Sequence, residues 1–190
     1  MERFIMQDLI AWKNREDRKP LILLGARQVG KTYILKEFGQ REFENVAYIN
    51  CDNNAMAKDL FASDYNIDRI LLTIGAITGV NIEAGKTLII MDEIQELHRG
   101  LASLKYFCEN AREYHVAVAG SLLGLSLHQG ESYPVGKVNT LEMYPMTFEE
   151  FLWARGFKQR MDLLQHGMWD VVKSLRTLYI QHLREYYLVG

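Results

Sequence analysis

Residues 21–32 read LILLGARQVGKT. The first four are a short continuous apolar run, the pattern of a parallel strand buried on both faces. It feeds directly into GARQVGKT (25–32), which matches G-x-x-x-x-G-K-[ST] in full. A helix is predicted to follow through YILKEF. In such a loop Gly25 and Gly30 let the backbone curl, so that the amides of Ala26, Arg27, Gln28 and Val29 point inward at phosphate oxygens. Lys31 would place its charge on the β- and γ-phosphates, and Thr32 would offer its hydroxyl to Mg²⁺. The N-terminal end of the following helix adds its partial positive charge. The stretch predicts a nucleoside-triphosphate site, with ATP and Mg²⁺ as cofactors.

Working outward, the same strand–helix alternation repeats. VAYIN (46–50), TLIIM (87–91) and VAVA (116–119) read as strands, and residues 138–143 as a candidate fifth. Residues 68–77 and 101–114 read as the helices between them. Before the loop, residues 3–13 have helical spacing, with Phe4, Ile5, Leu9 and Trp12 on one face. The charged run NREDRK (14–19), closed by Pro20, connects it to the first strand. This alternation predicts an α/β fold, a parallel sheet with helices on both faces. Thr147 with Glu150 predicts a capping box opening the helix FEEFLWA. From 168 to 187, one amphipathic segment would carry Val171, Val172, Leu175, Leu178, Tyr179, Leu183 and Tyr186 on a single stripe. The expected organisation is a core over 1–150 and a helical extension over 151–190.

The second motif is LIIMDEIQ (88–95). Its two carboxylates stand at the C-terminal end of an apolar strand, the edge where ligands bind in open α/β sheets. Asp92 is placed to hold Mg²⁺ through water, and Glu93 to orient and deprotonate an attacking water. Alone, such a pair reads first as a helix N-cap; downstream of a complete phosphate loop it reads as hydrolytic. Ser121, after the fourth strand, would contact the γ-phosphate or the water, the alternative being an ordinary turn. Lys137 is a candidate cation for the triphosphate of this or a neighbouring subunit, or else a solvated loop lysine. No Asn-Lys-x-Asp guanine-reading motif occurs, which favours ATP over GTP.

Hydrophobic residues make up 48% of the 190, enough to fill a core, and the net charge of −2 selects no partner class. Residues 151–190 are mildly basic, with Arg155, Lys158, Arg160, Lys173, Arg176 and Arg184 against Asp162, Asp170 and Glu185. This reads as solvated helix faces, so nucleic acid is a possible partner that nothing indicates. Cys51 and Cys108 have neither metal-ligand spacing nor a disulfide framework, and they fit a reducing compartment. No signal-like leader or run of about 20 apolar residues is present, so a cytoplasmic protein without a membrane partner is expected.

Taken together, GARQVGKT, YINCD (48–52), MDEIQ (91–95), LASLKYF (101–107), AGS (119–121) and VGKVNTLEMYPMTFEEFL (135–152) resemble the AAA-type P-loop ATPases of bacteria and archaea. In that family the ATPase domain is followed by a C-terminal domain of poorly defined role. The resemblance implies a sheet in which the sensor strand lies between the P-loop strand and the Asp-Glu strand. It implies the roles given above for Lys31, Thr32, Asp92, Glu93 and Ser121. Family members carry Gly-Arg where this chain has Gly136-Lys137, and lysine lacks the planar fork of arginine. The resemblance also leads us to expect a longer C-terminal region, begun by 168–187, through which the chain would self-associate or meet a protein partner. The leading function is an ATPase coupling hydrolysis to conformational change. The alternatives are an ATP-responsive switch with negligible turnover and a P-loop kinase, the latter disfavoured by Glu93 beside Asp92.

Overall fold

The computed structural model describes residues 2–52, 54–61, 64–120 and 133–189. By their contacts they form two compact units, Gln7–Met143 and Met1–Met6 with Tyr144–Gly190.

The larger unit is built on five parallel strands: β1 (Leu21–Gly25), β2 (Asn45–Asn50), β3 (Thr87–Asp92), β4 (His115–Ala119) and β5 (Asn139–Met143). Their order across the sheet is β2-β3-β4-β1-β5, so β4 lies between the P-loop strand β1 and the Asp-Glu strand β3, the order that the family resemblance implies. The central strands are the continuous apolar runs, and every residue of β3 and β4 is buried. The edge strands are less covered: β2 buries Ala47 and Ile49, and β5 only Met143.

The helices are α1 (Ile5–Lys13), α2 (Lys31–Glu42), the short α3 (Ala55–Lys58), α4 (Ile67–Thr78) and α5 (Gly100–Asn110). Ile22, Ile49, Ile89, Met91, Val116 and Val118 share one core cluster with Ile70 and Ile74 of α4 and Leu104 and Phe107 of α5. The opposite face takes α2. A Cβ on Gly39 would stand 2.6 Å from Val46 Cγ2 and 3.2 Å from Leu88 Cδ2, so only glycine lets the helix lie this close to the sheet. Helices therefore cover both faces, as the alternation predicts.

Two predicted bounds shift. Phe4 precedes α1 and is 43% exposed, while Met6 joins Ile5, Leu9 and Trp12 among the buried residues. The helix expected over 101–114 ends at Asn110, where Arg112 turns its Nε back to donate to Cys108 O at 2.8 Å.

The smaller unit carries α6 (Phe148–Ala154), α7 (Lys158–Gln165), α8 (Trp169–Ser174) and α9 (Arg176–Val189). Thr147 caps α6 in the predicted box, its Oγ1 accepting from Glu150 N at 3.1 Å while Glu150 Oε2 accepts from Thr147 N at 2.9 Å. Glu150 Oε1 takes the Phe4 amide at 2.8 Å and pairs with Arg3 Nε at 3.0 Å. The single stripe expected over 168–187 is not what forms. The segment breaks at Leu175 into α8 and α9, and Leu178 and Leu183 stay 38% and 37% exposed. The side of α9 that finds partners runs through Tyr179, His182 and Tyr186. Tyr179 and Tyr186 donate to Arg160 O and Met146 O at 2.7 and 2.8 Å, and His182 is buried beside Arg160. Hydroxyl and imidazole anchors set the rotation of this helix, which apolar periodicity does not register. No helix among the described residues is long and apolar enough to cross a membrane.

Candidate nucleotide site

β1 ends at Gly25 and α2 begins at Lys31, so residues 26–30 make the loop across the C-terminal edge of the sheet. Gly25 is fixed by a close approach: a Cβ there would stand 2.3 Å from the Met143 carbonyl oxygen of β5. Within the loop Gln28 (φ 66°) and Gly30 (φ 96°) adopt left-handed backbone, which turns successive amides to one side.

The loop opens onto a cleft of about 550 Å³ lined by Arg27, Gln28, Gly30, Lys31, Thr32, Tyr33, Asp52, Asp92, Glu93 and Glu96. A volume of roughly 300–1,000 Å³ is typical of small-ligand sites. Lys31 is buried, and its Nζ donates to Gly25 O at 3.0 Å and Ala26 O at 2.7 Å. Burial lowers its pKa, while the Glu93 and Asp92 charges pull the other way and Arg27 adds to the lowering. The ammonium is thus held in the loop by its own carbonyls, beside two carboxylates.

Thr32 and Asp92, sixty positions apart, meet directly: Thr32 Oγ1 donates to Asp92 Oδ2 at 2.6 Å. A hydroxyl and a carboxylate side by side at the mouth of a phosphate loop suit Mg²⁺, which binds through one or two protein oxygens with water and phosphate completing its shell. The loop that a Cβ at Gly25 would wreck, and this oxygen pair, fit Mg-ATP. Glu93 follows Asp92 in left-handed backbone (φ 52°, ψ 46°), a conformation that costs a non-glycine residue roughly 1–2 kcal/mol. The turn breaks the strand and starts the short 3₁₀ helix Ile94–Glu96. The buried Gln95 donates its amide to Glu93 Oε2.

Of the residues singled out from sequence, Arg27, Gln28, Gly30, Lys31, Thr32, Asp92 and Glu93 line this one cleft, with Gly25, Ala26 and Val29 in the loop's backbone path. Ser121 lies outside the described residues. Lys137 is not part of the site. It lies two residues before β5, at the N-terminal edge of the sheet, and pairs with Glu109 at 2.8 Å. A five-residue strand spans about 16 Å, so Lys137 does not reach its own phosphate loop. Tyr48, Asp52, Gln95 and Glu96 were not singled out. Tyr48 and Asp52 sit in YINCD and Gln95 in MDEIQ, but no spacing rule gives them a task.

No curated protein matches this chain. A solved structure of the Aeropyrum pernix Orc1 protein in complex with DNA is similar at 15% identity and a TM-score of 0.46. The match covers 80% of this chain and 47% of that one, so the chain spans under half the length of that protein. Residues 17–152 match the model of a family described as an AAA domain, a span from just before β1 to the middle of α6. With its loop after β1, its β4 between β1 and β3 and its helical C-terminal part, the chain belongs to the AAA-type family of P-loop ATPases.

Proposed function

We propose that the protein binds Mg-ATP in the cleft and hydrolyses it, coupling turnover to conformational change in itself or a partner. The observation that carries this reading is the convergence of Lys31, Thr32, Asp92 and Glu93 on one cleft at the end of β1 and β3. Lys31 exchanges the carbonyls of Gly25 and Ala26 for phosphate oxygens. Thr32 and Asp92 hold the metal ion, which when bound draws off charge developing on the triphosphate. Glu93 takes a proton from the attacking water on Oε1, because Oε2 is held by Gln95. Ser121 is proposed to meet the γ-phosphate or the water at the end of β4. An ATP titration beside a steady-state phosphate-release assay tests the proposal: binding without Glu93-dependent release refutes hydrolysis.

The second reading, an ATP-responsive switch with negligible turnover, draws support from the same Gln95 bond, which occupies part of the Glu93 carboxylate and ties it down. In either reading 1–150 acts as the nucleotide core and 151–190 as a helical extension facing a partner. Met168, Trp169, Leu178, Leu183 and Tyr187 are exposed there and suit a second copy or another protein. The buried free thiols Cys51 and Cys108 suit a reducing, cytoplasmic setting.

A further inference from the structure

Asp92 Oδ2 accepts a second hydroxyl besides that of Thr32. Tyr48, on β2, donates its phenol to the same oxygen at 3.2 Å. The contact follows from strand register: Tyr48 lies opposite Ile90 and Asn50 opposite Asp92, so the long phenol reaches two positions along the neighbouring strand. Its ring is held from the other direction by the Lys36 ammonium of α2, 3.4 Å from the ring centroid. A phenol has an ordinary pKa of about 10, so it is a donor at neutral pH.

An aspartate carboxylate turns about one soft torsion, and each oxygen has about two lone-pair sites. Thr32 and Tyr48 fill those of Oδ2. When the Thr32 hydroxyl turns to a metal ion, the phenol is the contact that still fixes the carboxylate. We propose that Tyr48 is a positioning residue: it locks the Asp92 carboxylate in one orientation and so raises the affinity of the site for the divalent ion that accompanies ATP. This rests on the reading of Asp92 as the metal-holding carboxylate. Partners behind a metal ligand typically contribute a factor of roughly 10–100 in metal affinity.

The test is ATP binding to the full chain by calorimetry, across a Mg²⁺ series and in EDTA, with Tyr48→Phe, Asp92→Asn and the double variant. Tyr48→Phe keeps the ring under Lys36 and removes one half-buried oxygen, so the fold is retained. It should raise the Mg²⁺ concentration for half-maximal ATP binding about tenfold. Affinity in EDTA should stay within about twofold, and the change should add nothing in the Asp92→Asn background. If Asp92→Asn shifts the Mg²⁺ requirement and Tyr48→Phe does not, the positioning role falls and the Asp92 reading stands. If neither shifts it, the Asp92 reading fails and takes this inference with it. An equal loss of ATP affinity with and without Mg²⁺ in Tyr48→Phe marks a general packing role and overturns the proposal.

Discussion

The Lys31 ammonium donates to the Ala26 carbonyl at 2.7 Å, so the cation proposed to meet phosphate is tied to its own loop. On the proposed reading nucleotide replaces these carbonyl contacts, because phosphate carries full charge. Mg-ATP at a hundredfold excess over its dissociation constant should stabilise the fold by about 2.7 kcal/mol. For a chain of this size that is a melting shift of roughly 5–10 °C. Lys31→Ala should abolish most of the shift. A scan of both proteins with and without Mg-ATP decides it, and an undiminished shift in the variant would remove Lys31 from the site.

Glu93 separates binding from chemistry. Glu93→Gln keeps the shape and the bond partner of Gln95 but cannot take a proton. Phosphate release should fall by roughly 10²–10⁴-fold while ATP still binds. Wild-type turnover in this variant would show that another group is the base.

Gly25 has a packing reason besides its place in the loop. A methyl group there meets the Met143 carbonyl oxygen at 2.3 Å, and both partners are backbone, so neither can swing away. Gly25→Ala should cost about 3 kcal/mol or more in denaturant unfolding. It should also weaken ATP binding by displacing the loop. A variant of unchanged midpoint would mean that β5 yields readily at Met143.

His115 opens β4 among aromatic rings, with centroids 4.8 Å from Phe43 and 6.1 Å from Trp12. Its Nδ1 is buried without a hydrogen-bond partner. Burial, then the charges of Arg18 and Lys13, pushes its pKa down to about 4 from an ordinary 6.5. The folded state therefore keeps it neutral where the unfolded chain protonates it. Its effect is nil above pH 6.5, and it erodes stability as pH falls from there to about 4, by on the order of 2 kcal/mol. His115→Leu should flatten that part of the stability profile, measured by urea unfolding at pH 7, 5.5 and 4.5. An identical slope in the variant would place the titration elsewhere.

The sequence was legible where one residue type carries the whole signal. LILL and TLII become central strands because only apolar side chains fit between two helical layers. The phosphate loop is a local motif whose parts need no distant partner. What stayed hidden depends on register. Tyr48 meets Asp92 only because β2 and β3 pair in one particular alignment, and nothing in YINCD declares which neighbour that strand will have. Gln95 closes the motif two residues after Glu93, but its grip on Glu93 needs the left-handed turn that the sequence does not announce. Of the two readings of Lys137, its surface pair with Glu109 fits the solvated loop lysine, and its place after Gly136 does not say which edge of the sheet it occupies. In the 168–187 segment, counting apolar residues put Leu178 and Leu183 on one stripe with Tyr179 and Tyr186, to be covered by the core or by a partner. Both leucines stay exposed, and the side that finds partners within the chain runs through His182, Tyr179 and Tyr186.

The place of β1 in the sheet also bears on how the chain is born. Leu21 pairs with Ala117 on one side and Asn139 on the other, so an early strand receives both its neighbours late. At synthesis rates of roughly 5–20 residues per second, the nascent chain carries LILLG with both edges unpaired for on the order of 10 s. During that time the phosphate loop has no wall behind Gly25, because Met143 has not yet left the ribosome. The loop therefore takes its final packing behind Gly25 only after β5 has arrived.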